Sequence, residues 1–185
     1  MTDRSHKIML VEPDAEVLEI LVASLSRRFD AHITCVADVT SCLDIEIFDP
    51  HDLVIAELEL EDSGGLELSE RLMALSNRPV ILLANQATCD DVTKAMRLGV
   101  SDLFRKPFRV EQLLDATDRA LREHDLYRRR AAKYRRMREL VRRIISERRD
   151  LNRRIELICR DLVGAQRRLV HRVLALEEKK PHQVS

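Results

Sequence analysis

The sequence predicts an α/β fold, a doubly wound five-stranded parallel sheet, followed by a long C-terminal α-helical coiled coil. Three observations predict it. Five apolar runs of strand length alternate with helix-length segments over roughly the first 120 residues, the order that builds a parallel sheet with helices on both faces. From Val110 to Lys180 there is then no proline and only one glycine, Gly164. Within that stretch the apolar residues keep a seven-residue phase. Tyr134, Val141, Ile155, Leu162 and Leu169 fall at position a, and Met137, Ile144, Leu151, Ile158 and Ala165 fall at position d. Sustained a/d heptads mark a coiled coil. A single amphipathic helix packed on its own domain is the competing reading. Some 70 helical residues would extend about 105 Å, too far for a domain of roughly 120 residues to cover. The seam is therefore expected to need a second chain, with a homodimer as the expected state.

The elements follow in order. Lys7-Ile8-Met9-Leu10-Val11 has strand length and ends at Glu12-Pro13-Asp14. Asp14 suits a helix N-cap, and Val17, Leu18, Ile20, Leu21 and Leu25 recur behind it at helical spacing. Arg27-Arg28 suits that helix's C-terminal end. A second strand is expected over His32–Val36 and a short helix over Asp38–Phe48, capped by Asp38 or Thr40. Leu53–Ala56 is the third strand, ending at Glu57. The pair Gly64-Gly65 then supplies a turn that tolerates positive φ before a helix over Leu66–Leu75. Pro79–Ala84 has the composition of a strand buried on both faces. A helix over Asp90–Leu98 stops at Gly99. Val100–Phe104 is the fifth strand, Arg105–Phe108 a loop, and the last helix starts near Val110.

Charge divides the chain in the same way. Net charge is zero, yet residues 1–117 carry 11 Lys/Arg against 22 Asp/Glu, and residues 118–172 carry 19 against 8. An acidic globule, residues 1–123, is joined to a basic coiled-coil helix, residues 124–180. That helix continues the globule's last helix, and residues 181–185 are expected to be a disordered tail. The four cysteines, Cys35, Cys42, Cys89 and Cys159, show no paired spacing and suit a reducing compartment. Met1–Lys7 is short and polar, and only four apolar residues follow, so neither a signal peptide nor a membrane span is expected there. The expected location is the cytoplasm.

Ligand crevices of parallel α/β sheets lie at the carboxyl ends of the strands. Those ends carry Glu12, Pro13, Glu57, Ala84 and Lys106. Pattern alone thus places two glutamates near a lysine from far along the chain.

These segments resemble the receiver domain of bacterial two-component response regulators, which has a flavodoxin-like fold. The carriers are Ile8–Asp14, Asp52–Leu58 with Gly65–Leu68, Pro79–Ala84 and Gly99–Phe108, covering roughly residues 5–123. The resemblance implies two acidic residues after the first strand that hold Mg²⁺. It also implies a phosphorylated aspartate after the third strand, a Ser or Thr after the fourth, a switching aromatic in the fifth, and a lysine bridging to the phosphoaspartate. Here the acidic pair is Glu12-Pro13, and the phosphoacceptor-equivalent position holds Glu57. The hydroxyl position holds Ala84 and the aromatic position Leu103; Lys106, followed by Pro107, stands as the family has it. Pro13 offers no side-chain oxygen to a metal that demands near-octahedral oxygen ligands. Asp14 could stand in only if the loop shifted. Glu57, one methylene longer than Asp, is expected to reach Lys106 and form an ion pair in a degenerate, metal-free site. A permanent carboxylate there partly mimics the phosphorylated state, although Ala84 and Leu103 remove the usual relay. No catalytic residue, cofactor or metal is expected.

Tyr127–Arg138 is the densest basic run. For Arg128, Arg129, Arg130, Lys133, Arg135 and Arg136 two readings stay open: a solvated helix face, or a nucleic-acid contact in which phosphates supply the affinity. Leu140, Ile145, Leu157, Val163, Val170 and Val173 are apolar but off the seam, which argues for packing beyond a plain two-stranded coil. Arg148 breaks the seam at an a position, where it weakens the coil and can set register. His171 is taken as a surface residue. The function expected is that of a non-enzymatic signalling adaptor or regulator in a phosphorelay. It would be independent of phosphorylation, with an unidentified protein partner and no output domain beyond Ser185. The alternative is a transcription-linked regulator whose coil binds nucleic acid.

Overall fold

The structure is a computed structural model that describes residues 5–75 and 78–177, with side chains as far as Arg172. The expected tail at 181–185, the coil's last residues 178–180 and the side chain of Val173 lie outside the described residues. Ten elements alternate: β1 (His6–Val11), α1 (Ala15–Arg28), β2 (Ala31–Val36), α2 (Val39–Phe48), β3 (Leu53–Glu57), α3 (Gly64–Leu75), β4 (Val80–Ala84), α4 (Cys89–Leu98), β5 (Asp102–Arg105) and α5 (Val110–Glu177). All strand pairs are parallel, in the order β2-β1-β3-β4-β5. The strand order reverses beside β1, so the crevice opens between the ends of β1 and β3.

Period-two alternation sorts the sheet's side chains onto two cores. Met9, Val11, Val54, Ala56, Val80, Leu82 and Ala84 meet Val39 and Cys42 of α2, Leu68 and Leu72 of α3, and Ala95 of α4. Ile8, Leu10, Leu53, Ile55, Ile81 and Leu83 meet Leu21 and Leu25 of α1 and Leu113, Ala116, Ala120 and Leu121 of α5. β3 and β4 are buried along their whole length, which explains why they carry no polar alternation.

Local chemistry sets the helix ends. Asp14 caps α1, accepting from the amides of Glu16 and Val17. Asp38, not Thr40, caps α2 through the Ser41 amide. Thr88 and Asp91 form a capping box on α4, and Gly99 ends that helix in the left-handed region at φ 78°. Of the glycine pair, Gly64 supplies the positive φ of 76°, whereas Gly65 supplies close approach. A Cβ on Gly65 would stand 2.5 Å from the carbonyl oxygen of Glu57, so this glycine lets α3 start directly against the end of β3. That is why α3 begins at Gly64 and not at Leu66.

The strand bounds differ from expectation by one residue at β1 to β4 and most at β5. β5 covers Asp102–Arg105 rather than Val100–Phe104. The Val100 amide donates to the Ala95 carbonyl and completes the end of α4, and the Ser101 amide donates to the Val80 carbonyl, so the strand proper starts at Asp102, two residues later than expected.

The last helix is continuous over 68 residues. The chain divides into two units between Arg129 and Arg130. The sequence places this boundary after residue 123. Within the first unit, Nη1 of Arg128 donates to Oδ1 of Asp52 at 2.5 Å. In the first unit the heptad phase is buried at Leu113, Ala116 and Ala120. In the second unit Tyr134, Met137, Val141, Ile144, Leu151, Ile155, Ile158, Leu162 and Leu169 are all exposed on the single chain.

Candidate functional site

The site forms where three strand ends converge. Parallel pairing of Val11 with Ala56 sets Glu12, just past β1, beside Glu57, the last residue of β3. The Glu12 amide donates to the Val36 carbonyl, which fixes the turn-off point of the chain. Lys106 lies one residue beyond β5, and its amide donates to the Ala84 carbonyl at 2.7 Å. The Lys106–Pro107 peptide is cis. From that anchor Nζ of Lys106 donates to Oε2 of Glu12 at 2.8 Å and to Oε2 of Glu57. The two carboxylates are 3% exposed and the lysine side chain 16%. The Glu57–Lys106 pair expected from the sequence is present, and Glu12 completes it as a second acceptor.

Two residues that the sequence did not single out finish the site. Glu59 accepts from the amides of Asn85 at 3.1 Å and Gln86 at 2.8 Å, pinning the β4–α4 loop. The Asn85 side chain donates to Oε1 of Glu57 at 3.5 Å. The sequence signal for Glu59 is the acidic run Glu57-Leu58-Glu59 at the end of β3.

Electrostatics follow from the crowding of carboxyl groups around one ammonium. Burial pushes the Glu57 carboxyl up to about 7; its hydrogen bond with Glu59 and the charge of Glu12 push the same way, against the pull of Lys106. Glu59 is desolvated too, yet it is held low by the hydrogen bond from Glu57 and by the two loop amides. Burial alone would lower Lys106, but its bonds to Glu12 and Glu57 outweigh it and raise the ammonium's pKa. The cluster carries more negative than positive charge when fully ionised, so a proton shared on Glu57 relieves it.

The residues present do not fit Mg²⁺. Pro13 contributes no side-chain oxygen, and Asp14 is committed to capping α1, with Oδ1 accepting from Glu16 at 2.9 Å and Val17 at 3.3 Å. The lysine ammonium already spans the two glutamates that remain. Among the described residues no group of three or more His, Cys, Asp or Glu could hold a metal ion. Ala84 is buried without a hydroxyl, and Leu103 is a half-buried aliphatic packed on the α2–α3–α4 core. Glu12, Glu57, Ala84 and Lys106 thus meet at one place, Pro13 lies exposed at its rim, and Leu103 stands apart on β5.

A second polar network lies at the opposite end of the strands. His51 is fully buried, with Nδ1 2.6 Å from Oε1 of Glu46 and Nε2 2.8 Å from Oγ1 of Thr34. Arg78 pairs with the other oxygen of Glu46. Next to His51, the buried Asp52 accepts from the Lys7 amide at 3.1 Å and from Arg128. Desolvation lowers the pKa of His51. The available signal was the pair His51-Asp52 directly ahead of an apolar strand.

Arg128 pairs with Asp52 through Nη1 alone and keeps 43% of its side chain exposed. Arg129, Arg130, Lys133, Arg135 and Arg136 are exposed on α5. No helix among the described residues is long and apolar enough to cross a membrane.

Comparison with known proteins gives a consistent result. Residues 8–118 match the family model for the response regulator receiver domain. A CheY-like receiver domain protein from Methanospirillum hungatei JF-1 superposes with a TM-score of 0.64 at 19% identity, covering 67% of this chain and 99% of that one. The signal receiver domain of an HD domain-containing protein from Pseudomonas fluorescens Pf-5 gives 0.62 at 26% identity, covering 66% and 98%. In sequence, the response regulator protein TodT of Pseudomonas putida is 29% identical over 123 residues, 66% of this chain and 54% of its own. The nisin biosynthesis regulatory protein NisR of Lactococcus lactis subsp. lactis is 26% identical over 109 residues, 59% and 47%. The chain spans about half the length of these relatives.

Proposed function

The chain belongs to the response regulator receiver domain family, and from that premise we propose that it is an atypical receiver working without phosphorylation. In this reading it is a non-enzymatic, cytoplasmic component of two-component signalling. It homodimerises through the exposed seam of α5 and acts as an adaptor or regulator. One observation carries the proposal: the Lys106 ammonium is held by the carboxylates of both Glu12 and Glu57. A glutamate fills the acceptor position, its carboxylate is turned to the lysine, and the donor set for Mg²⁺ is missing. With no hydroxyl at Ala84 and no aromatic at Leu103, the chain lacks the parts that would relay an added phosphoryl group.

Incubation with acetyl phosphate and Mg²⁺ followed by intact-mass measurement tests this. The expected result is an unchanged mass. A gain of about 80 Da that disappears in Glu57→Ala would sink the proposal.

The exposure of Arg128, Arg129, Arg130, Lys133, Arg135 and Arg136 favours a second reading, a coil that binds nucleic acid. Phosphate contacts are strongest at low salt, so a titration of duplex DNA at about 50 mM salt decides it. Absence of binding there ends that reading.

A further inference from the structure

The seam of α5 has a property that its a and d residues alone do not explain. Leu140 and Ile145 lie outside it, at positions g and e, and both are exposed beside Val141 and Ile144. In the middle of the seam, position a is occupied by Arg148, and the residue before it, at position g, is Glu147. We propose, on top of the homodimer reading above, that the occupant of this face is a second copy of the chain lying parallel and in register, with Arg148 of each copy paired to Glu147 of the other.

Two independent features select this arrangement. In a parallel, in-register pair, position g of one heptad lies beside position e of the next heptad on the other helix. Leu140 then meets Ile145 of the second copy, and the reverse contact forms on the opposite flank. The apolar layers at Val141 and Ile144 are thereby widened by matching apolar side chains. An antiparallel pair overlapping the seams most fully instead sets Leu140 near Asp161 and Ile145 near Asn152, so that apolar side chains face polar ones.

The second feature is the charge at the break. A side chain at position a enters a hole bordered by the preceding g residue of a parallel partner. For Arg148 that residue is Glu147 of the second copy, so the cation finds an anion at the seam's edge instead of another apolar group. A polar a residue of this kind specifies register at a cost in stability. Lys133 beside Arg138 is a like-charge contact in the same arrangement. Both are exposed, and such surface pairs count for little.

The test uses the full chain carrying Val141→Cys and Ile158→Cys, with Cys35, Cys89 and Cys159 changed to serine. Under mild oxidation the linked peptides are mapped. Links of 141 to 141 and of 158 to 158 are expected, in a product of two chains. A link of 141 to 158 between chains overturns the parallel arrangement and leaves the homodimer reading standing. A monomeric mass with no interchain link overturns both. Charge exchange supplies a second readout. Glu147→Arg should weaken dimerisation about tenfold, and adding Arg148→Glu should restore it. Failure of the double exchange to restore affinity contradicts the pairing.

Discussion

Replacing Lys106 with alanine should destabilise the receiver by about 3 kcal/mol near neutral pH, since removing one partner of a buried pair leaves an uncompensated charge. Here it leaves Glu12 and Glu57, each with a side chain only 3% exposed, without their cation. The effect should depend on pH with a definite sign. The folded-state pKa of Glu57 is already raised from 4.5 to about 7. A carboxyl raised in the folded state binds its proton more tightly there than in the unfolded chain. Its contribution is therefore most favourable below the unfolded value and is lost as pH rises through the folded one. In the wild type that window runs from 4.5 to about 7. Lys106 is a group holding Glu57 down, so its removal extends the window upward. Urea melts at several pH values should show the gap between variant and wild type widening as pH rises from about 7 to about 9. A gap that stays constant across that range would mean that the ammonium does not balance these carboxylates.

The second large effect concerns α5. Ile144→Asp combined with Ile155→Asp should leave the receiver's own urea midpoint unchanged and make the chain monomeric. Both isoleucines are about half exposed on the single chain, at 54% and 50%, so they contribute little to a fold they do not touch. In a paired seam each aspartate would be buried without a partner, which costs several kcal/mol. A weakening of at least about a thousandfold, or about 4 kcal/mol, is expected in the dimer dissociation constant. If the assembly survives both substitutions, the seam is not what joins the chains.

Much of this was legible in the sequence because it is periodic or terminal. Strand-length runs such as Leu53–Ala56 and Val80–Ala84, and caps such as Asp14 and Gly99, state local preferences that the fold obeys. The site was legible because strand ends in this architecture converge, so Glu12, Glu57 and Lys106 could be brought together without coordinates. What stayed hidden depends on pairs with no shared period. Glu59 caps a loop 26 residues away through its amides, and Arg128 reaches Asp52 across 76 residues. Glu46, His51 and Arg78 look like ordinary surface residues until α2 and the start of β3 close over them. The basic run gave no sign that Arg128 also pairs with a buried aspartate of the globule.

Under the proposed function the Lys106 pairs close the receiver site, and α5 dimerises independently of phosphate. Sedimentation equilibrium of the full chain, with and without acetyl phosphate and Mg²⁺, tests both halves at once. The mass should be twice the 21.5 kDa of one chain in both conditions. A monomer throughout, or a dimer that forms only when the phosphoryl donor is present, would contradict the account.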